Sequence, residues 1–186
     1  MILGLDISTS CTGWSILNTD GTLVKLGYIR LDTKKNAFSR VTDVSRCISE
    51  LMSTIPALEA VYIEENLQAF RPGLSSAKTL LTLARFNGMV SYQTYEITGL
   101  YPTYINVNSA RKALGIKLDR KSDITTKDQI YNWVASDLNC SNTSVEWPYK
   151  ILKSGPRKGL KILDSAAYDM SDAYVIGKAG IQLEVK

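Results

Sequence analysis

The sequence predicts an α/β protein with a mixed sheet, in which three strands precede the first helix and later strands alternate with helices. Two observations support this fold class. Apolar runs of strand length flank a strong hairpin signal, Asn18-Thr19-Asp20-Gly21. Farther along, apolar residues recur at the three- and four-residue spacing of amphipathic helices, separated by short apolar runs. With 186 residues, 45% of them hydrophobic and 22% charged, the chain fits one globular domain spanning residues 1–186.

The N-terminal third is predicted to form an antiparallel meander followed by a helix. The three strands cover residues 2–7, 12–17 and 22–31, and the hairpin turn joins the second to the third. The helix follows because apolar residues then recur on one helical face until Pro56. These residues are Phe38, Val41, Val44, Ile48, Leu51, Met52 and Ile55.

The rest of the chain is predicted to add two strands and four helices. The fourth strand covers residues 61–64, and a short fifth strand covers residues 104–107. The helices are a long one at about 74–97, a short one capped by Asn108 or Ser109, one capped by Thr126, and a last one over residues 165–178 that Gly180 ends. Residues from about 116 to 162 are otherwise irregular, and we interpret them as an extra segment.

The composition limits the possible chemistry. The chain contains no histidine, which excludes Ser-His-Asp and Cys-His catalysis and any histidine-ligated metal site. A metal ion here must therefore be a hard ion held by oxygen, such as Mg²⁺ or Mn²⁺. Cys11, Cys47 and Cys140 lack the spacing of a zinc site, and we expect three buried or half-buried free thiols.

A basic stretch near the C-terminus suits a polyanionic partner. Residues 150–161 include five cations and no acid: Lys150, Lys153, Arg157, Lys158 and Lys161. Charge alone is equally compatible with a solvated loop. No apolar stretch approaches the ~20 residues that cross a membrane, and no signal peptide opens the chain, so we expect a cytoplasmic protein.

Acidic residues occur at positions where a carboxylate needs a partner. Asp6 follows a buried apolar run, and Glu64-Glu65 ends another, where an unpaired charge is costly. Asp169 and Asp172 are three residues apart, so they share one face of the last helix. Only one of Glu64 and Glu65 can point to a given side of its strand. Together these residues predict an acidic cluster that binds divalent metal.

These motifs resemble those of RuvC-like Holliday junction resolvases, which belong to the ribonuclease H-like (retroviral integrase) superfamily. The resemblance rests on Asp6 within residues 2–14, on Ile63-Glu64, and on Asp169-x-x-Asp172-Ala173. Further similar segments are Tyr101-Pro102, Asn106-Val107-Asn108, Lys127-Asp128-Gln129-Ile130 and Ala84-Arg85-Phe86-Asn87-Gly88. Ser8-Thr9-Ser10 replaces the family's usual proline-glycine, and the 116–162 segment is longer, which suggests a bacteriophage-type member acting in the bacterial host cytoplasm.

The resemblance implies a ribonuclease H-like fold with a five-stranded mixed sheet, and an Mg²⁺-dependent endonuclease that resolves four-way DNA junctions by paired nicks. Two ions, replaceable by Mn²⁺, would be held by Asp6, Glu64, Asp169 and Asp172, with Glu65 as the alternative to Glu64. Lys127 would lie near the scissile phosphate, and the helix at 74–97 would form a homodimer. Candidate DNA contacts are Phe70, Arg71, Arg111, Lys112, Lys127, Lys150, Lys153, Arg157 and Lys158.

Three other functions compete with this one. A general branched-DNA or flap endonuclease would use the same residues. A catalytically inactive module of the same fold would bind nucleic acid or protein only. An actin-like or sugar-kinase phosphotransferase could use Asp6-Ile7-Ser8-Thr9-Ser10 as a phosphate-binding hairpin, but such enzymes need two domains and a second glycine-rich motif.

Overall fold

A computed structural model of the protein describes residues 1–65 and 77–184. The strands within these residues are β1 Ile2–Ile7, β2 Cys11–Leu17, β3 Leu23–Arg30, β4 Ala60–Glu64, β5 Thr103–Ile105, β6 Tyr149–Ile151 and β7 Lys161–Leu163. The helices are α1 Ala37–Met52, α2 Ala77–Thr98, α3 Val107–Ala113, α4 Thr126–Cys140 and α5 Ala166–Glu184. The predicted α/β class is confirmed.

The centre of the molecule is a five-stranded mixed sheet with the order β3-β2-β1-β4-β5. β2 pairs antiparallel with both β1 and β3, as the hairpin signal predicted. β4 lies parallel to β1, and β5 lies parallel to β4. The carboxyl ends of β1, β4 and β5 therefore meet at one edge of the sheet.

Helices cover both faces of this sheet, and side-chain alternation along the strands assigns each residue to a face. Leu3, Leu5 and Ile7 of β1 pack with α1 and α2 in one core cluster. Tyr62 of β4 packs on the opposite face, in a cluster formed with α3, α4 and α5. Because side chains alternate, Asp6 also points to the face that α5 covers.

Helix α5 lies directly on the backbone of the sheet. A β-carbon on Gly4 would lie only 2.4 Å from the carbonyl oxygen of Ala173, so no larger residue fits at this crossing. The hydroxyl of Ser15 on β2 donates to the same oxygen at 2.9 Å. These contacts fix α5 in height and orientation above β1 and β2.

Two predicted helix caps are wrong by one to three residues. Asn106, and not Asn108 or Ser109, caps α3, because its side-chain oxygen reaches the amides two and three residues ahead, at 3.0 and 3.4 Å. Thr125 caps α4 in the same way, accepting from the Asp128 amide at 3.2 Å. In each case the cap lies nearer the N-terminus than predicted.

The predicted end of the last helix is also wrong. α5 continues through Gly180 to Glu184. A β-carbon on Gly180 would lie 2.3 Å from Cδ2 of Tyr62, so this glycine serves close packing on the sheet and not helix termination. Tertiary contact here outweighs the usual preference for glycine after a helix end.

The predicted extra segment contains an element that sequence patterns did not indicate. β6 and β7 form a two-stranded antiparallel hairpin separate from the main sheet. The start of the predicted helix at 74–97 lies outside the described residues, and α2 is described from Ala77. Cys11 is buried and Cys47 half-buried, but Cys140 is exposed, so the thiol prediction is wrong for Cys140. None of the described helices has the length and apolarity to cross a membrane.

Candidate metal centre

Three carboxylates converge where β1 and β4 end beneath α5. Asp6, Glu64 and Asp172 each place a carboxylate oxygen within 4.8 Å of the other two. Asp6 and Glu64 come from parallel neighbouring strands, and the register pairs the residues just before them, Leu5 with Ile63. Asp172 reaches them from α5, which the glycine contact on β1 holds close to the sheet.

Strand alternation explains why Glu64 and not Glu65 joins this cluster. Glu64 shares a face with Tyr62, the face that α5 covers. Glu65 points elsewhere, and its carboxylate accepts a hydrogen bond from the Asn106 side chain at 3.3 Å. The structure therefore places Glu64, and not its alternative Glu65, beside Asp6 and Asp172.

Asp169 lies beside the three carboxylates, one turn before Asp172 on α5. Its negative charge contributes to raising the pKa of both Asp6 and Asp172. Burial raises the pKa of Asp169, and the neighbouring Cys11 thiol partly offsets this rise. All four predicted acids are thus brought into one region, and three of them have carboxylate oxygens close enough to share an ion.

The clustered acids hold protons more tightly than isolated ones. Burial, and then the charges of Glu64 and Asp172, raise the pKa of Asp6 well above its usual range. Burial and the charge of Asp172 raise the pKa of Glu64 from 4.5 to about 7. Burial also raises the pKa of Asp172 from 3.8 to about 6. Without a cation, these carboxylates repel one another and lose solvation.

Two basic side chains face this acidic cluster. Lys127 is in the first turn of α4, and its positive charge offsets part of the rise in pKa of all four acids. The charge of Arg111, on α3, lowers the pKa of Glu64 and Asp172. Two cations beside four carboxylates leave excess negative charge, which suits a divalent ion. The donor set consists of carboxylate oxygens, the ligands that Mg²⁺ and Mn²⁺ prefer.

The predicted DNA contacts lie in two basic regions. Arg111 and Lys112 line a cavity of about 410 Å³ together with Lys117 and Arg120, two cations that the sequence interpretation did not select. Lys150, Lys153, Arg157 and Lys158 are exposed on the β6–β7 hairpin. Phe70 and Arg71 lie outside the described residues.

Arg30 and Cys11 border the site, but the sequence interpretation did not assign them to it. β3 places Arg30 opposite Cys11. The Arg30 guanidinium donates to Asp164 at 2.6 Å, just before α5. Burial raises the pKa of Asp169, and the positive charge of Arg30 offsets part of that rise. The sequence shows an arginine at the end of the third predicted strand. Placing that arginine at the site, however, requires the register between β2 and β3, which the sequence does not reveal.

The fold is that of RuvC. A T. thermophilus RuvC structure in complex with Holliday junction substrate matches with a TM-score of 0.64, covering 99% of this chain and 94% of that chain at 17% identity. A second Thermus thermophilus RuvC structure matches with a TM-score of 0.61, 99% and 95% coverage, and 18% identity. No family model and no curated protein matches the sequence. The ribonuclease H-like fold implied by the sequence motifs is confirmed.

Proposed function

We propose that this protein is a divalent-metal-dependent endonuclease that resolves four-way DNA junctions by paired, symmetric nicks. The observation that carries the proposal is the convergence of Asp6, Glu64 and Asp172 within 4.8 Å on a RuvC fold. One matching RuvC structure is itself a complex with Holliday junction substrate, which supports branched DNA as the partner.

Asp6, Glu64 and Asp172 would hold the metal, with Asp169 beside them completing the set. Mg²⁺ fits this all-oxygen donor set, and Mn²⁺ would substitute. Two ions bound there would supply an activated water and Lewis-acid stabilisation of charge on the phosphodiester oxygens. The raised pKa values of the acids support this assignment, because they reflect carboxylates that need a cation when they ionise.

The chain's own cations would hold the DNA. Lys127 faces the acids and would contact the scissile phosphate, where a positive charge stabilises the additional negative charge of the transition state. Arg111 and Lys112 would contact a neighbouring phosphate from the basic cavity. Phosphate contacts position DNA without reading its sequence, and they make binding salt-dependent.

The β6–β7 hairpin would bind a further DNA arm. Its four predicted contacts, Lys150, Lys153, Arg157 and Lys158, are exposed. The hairpin precedes α5 directly, and the Asp164 amide donates to the Pro148 carbonyl at 2.9 Å, so the base of the hairpin is held beside the helix that carries two acids. Phe70 and Arg71 are proposed to contact DNA near the crossover.

Paired cuts on opposing strands require two active sites related by a twofold axis, which a homodimer supplies. We assign the dimer contact to α2. Its residues Leu81 and Tyr92 are 58% and 59% exposed, and their spacing of about three turns puts them on one side of the helix. Phe38 of α1, 76% exposed, lines a cavity together with Tyr92 and extends the same apolar surface. A phage-type enzyme of this kind would act in the cytoplasm of the bacterial host.

The test compares cleavage of a labelled four-way junction, a flap and a linear duplex in Mg²⁺, Mn²⁺ or EDTA. Symmetric nicks in the junction alone, in either metal and not in EDTA, are the expected result. If flaps are cut as well as junctions, the proposed activity changes from junction resolution to general branched-DNA cleavage. A protein that cuts none of the three substrates in either metal is not a nuclease.

A further inference from the structure

Tyr168 of α5 and Asp128 of α4 connect the two helices that carry the charged groups of the site. The Tyr168 hydroxyl donates to Oδ1 of Asp128 at 2.5 Å. Tyr168 directly precedes Asp169, and Asp128 directly follows Lys127. This single hydrogen bond therefore joins the turn that bears an acid to the turn that bears the lysine.

The hydrogen bond is supported from both sides. The second carboxylate oxygen of Asp128 accepts from the Thr125 hydroxyl at 2.6 Å, and the Asp128 amide donates to the same hydroxyl at 3.2 Å, so the first turn of α4 is closed by a reciprocal cap. The hydrogen bond to Asp128 raises the pKa of Tyr168 to about 12, which keeps the phenol protonated as a donor. Tyr131 packs edge-on against the Tyr168 ring at 6.5 Å.

The Tyr168 ring also lies under the lysine. Nζ of Lys127 is 5.8 Å from the ring centroid, within range of a cation–π attraction. The Lys127 side chain is otherwise exposed, so its four-carbon stem has many rotamers available. The hydrogen bond from Tyr168 to Asp128 restricts the first turn of α4, and the Tyr168 ring restricts the Lys127 ammonium.

We infer that Tyr168 is a positioning residue, which acts through Asp128 and through its ring to hold the Lys127 ammonium at the acidic cluster. The inference rests on the proposed function for the role of Lys127 at the phosphate, but the placement itself does not require DNA.

A second tyrosine on the same pair of helices provides a matched control. The Tyr174 hydroxyl of α5 donates to Asp137 of α4 at 2.6 Å, and Lys178 binds the same carboxylate. This hydrogen bond has the same chemistry and joins the same helices, but it lies two to three turns from Lys127 along α4. If Tyr168 only fastened α4 to α5, the two tyrosines would be equivalent.

The first experiment measures single-turnover cleavage of a four-way junction at saturating protein, together with junction affinity. Tyr168→Phe is expected to lower the cleavage rate about 10-fold with affinity unchanged, because a misplaced catalytic group affects the rate more than binding. Tyr174→Phe is expected to cleave like the unaltered protein. Asp128→Asn, which keeps an acceptor for Tyr168, should retain several-fold more activity than Asp128→Ala.

A double-variant cycle separates positioning from independent action. In a Lys127→Ala background, Tyr168→Phe should cause no further loss of cleavage rate, because it acts through the lysine that is already absent. Rate reductions that multiply would overturn the inference, as would equal rates for Tyr168→Phe and Tyr174→Phe.

Mn²⁺ affinity, measured by calorimetry without DNA, is the second readout. Lys127→Ala should tighten Mn²⁺ binding several-fold, because a positive charge next to the cluster opposes a cation. Tyr168→Phe should shift the affinity in the same direction, and Tyr174→Phe should not. This pattern in a protein that cleaves no DNA would leave the positioning role standing and overturn the proposed function. Normal cleavage with unaltered Mn²⁺ affinity in Tyr168→Phe would overturn the positioning role alone.

Discussion

A β-carbon on Gly13 would lie 1.9 Å from the carbonyl oxygen of Asp169. Gly13 pairs with Asp6 across β1 and β2, so the strand residue beside one acid is in van der Waals contact with the helical turn of another. The separation between sheet and helix at the acidic cluster is therefore set by the absence of a side chain at residue 13.

Gly13→Ala is expected to destabilise the protein by about 3 kcal/mol, the upper range for overpacking, because the atom in the way belongs to backbone and not to a flexible side chain. Cleavage should fall as well, since α5 must move and carries Asp169 and Asp172 with it. Chemical denaturation and single-turnover cleavage measure the two effects.

Gly88→Ala is the stability control for this substitution. A β-carbon on Gly88 in α2 would have no atom within 4 Å, so alanine should stabilise the helix by up to about 1 kcal/mol. Equal stability changes for the two glycine variants would show that residue 13 does not set the helix position.

Asp6→Asn is expected to lower cleavage at least about 100-fold while junction affinity stays within a few-fold, because a proposed metal ligand is removed but the basic surface is intact. Gel-shift and cleavage assays on the same preparation make the comparison. Loss of binding together with cleavage would mean that Asp6 has a structural role.

The metal-free protein should become less stable as the pH rises from about 4 to 7. Glu64 has an ordinary pKa of 4.5 when unfolded and a pKa of about 7 when folded; for Asp172 the corresponding values are 3.8 and about 6. Between these values the folded chain holds protons that the unfolded chain has released, so the free energy of unfolding falls with pH, by ~1.4 kcal/mol per unit for each group. Thermal denaturation in EDTA across this range measures the slope.

Glu64→Gln should flatten this slope and be more stable than the unaltered protein at pH 8 in EDTA, because no charge forms at residue 64. Mg²⁺ should reverse the order, stabilising the unaltered protein at pH 8 and less at pH 5, where protons compete for the carboxylates. A slope in EDTA that Glu64→Gln leaves unchanged would contradict the assignment of the pH dependence to this cluster.

The sequence predicted the strand ends that carry Asp6 and Glu64 because buried apolar runs are visible without knowledge of neighbours. It left Glu64 and Glu65 undecided, since the choice depends on which face α5 covers. It also missed Arg30 at the site. A two-residue turn at Thr19-Asp20 would place Tyr28 opposite Cys11. The observed turn instead pairs Asn18 with Thr22, and an irregularity between Ile16 and Leu17 shifts the register by one more residue, which brings Arg30 there.

Helix ends were less predictable than helix positions, because some of them depend on contacts with residues distant in the sequence. Gly180 has the local signature of a helix terminus, but packing against the Tyr62 ring gives this glycine a different role. The β6–β7 hairpin has strands of only three residues, too short for a period-two pattern to be recognised. At Gly180 a long-range contact overrides a local preference, whereas the caps of α3 and α4 are set by local side-chain hydrogen bonds.

The basic hairpin should contribute phosphate contacts that a salt titration can count. Replacing Lys153, Arg157 and Lys158 by glutamine removes three exposed charges from its tip. The slope of log affinity against log salt concentration for junction binding should then decrease by ~0.9 for each phosphate that is no longer neutralised, and by up to about 2.7 if all three side chains bind one. Fluorescence anisotropy at several salt concentrations measures the slope.

The matched control replaces three exposed cations elsewhere, Lys25, Lys34 and Arg46, by glutamine. Both triple variants lower the formal net charge of +4 by the same three units, so long-range attraction changes by a similar amount. Only the hairpin variant should release fewer counterions on binding, because only its side chains are proposed to touch the DNA backbone. Equal slopes for the two variants would show that the hairpin side chains do not contact DNA phosphates. DNA binding would then depend on Arg111, Lys112 and Lys127.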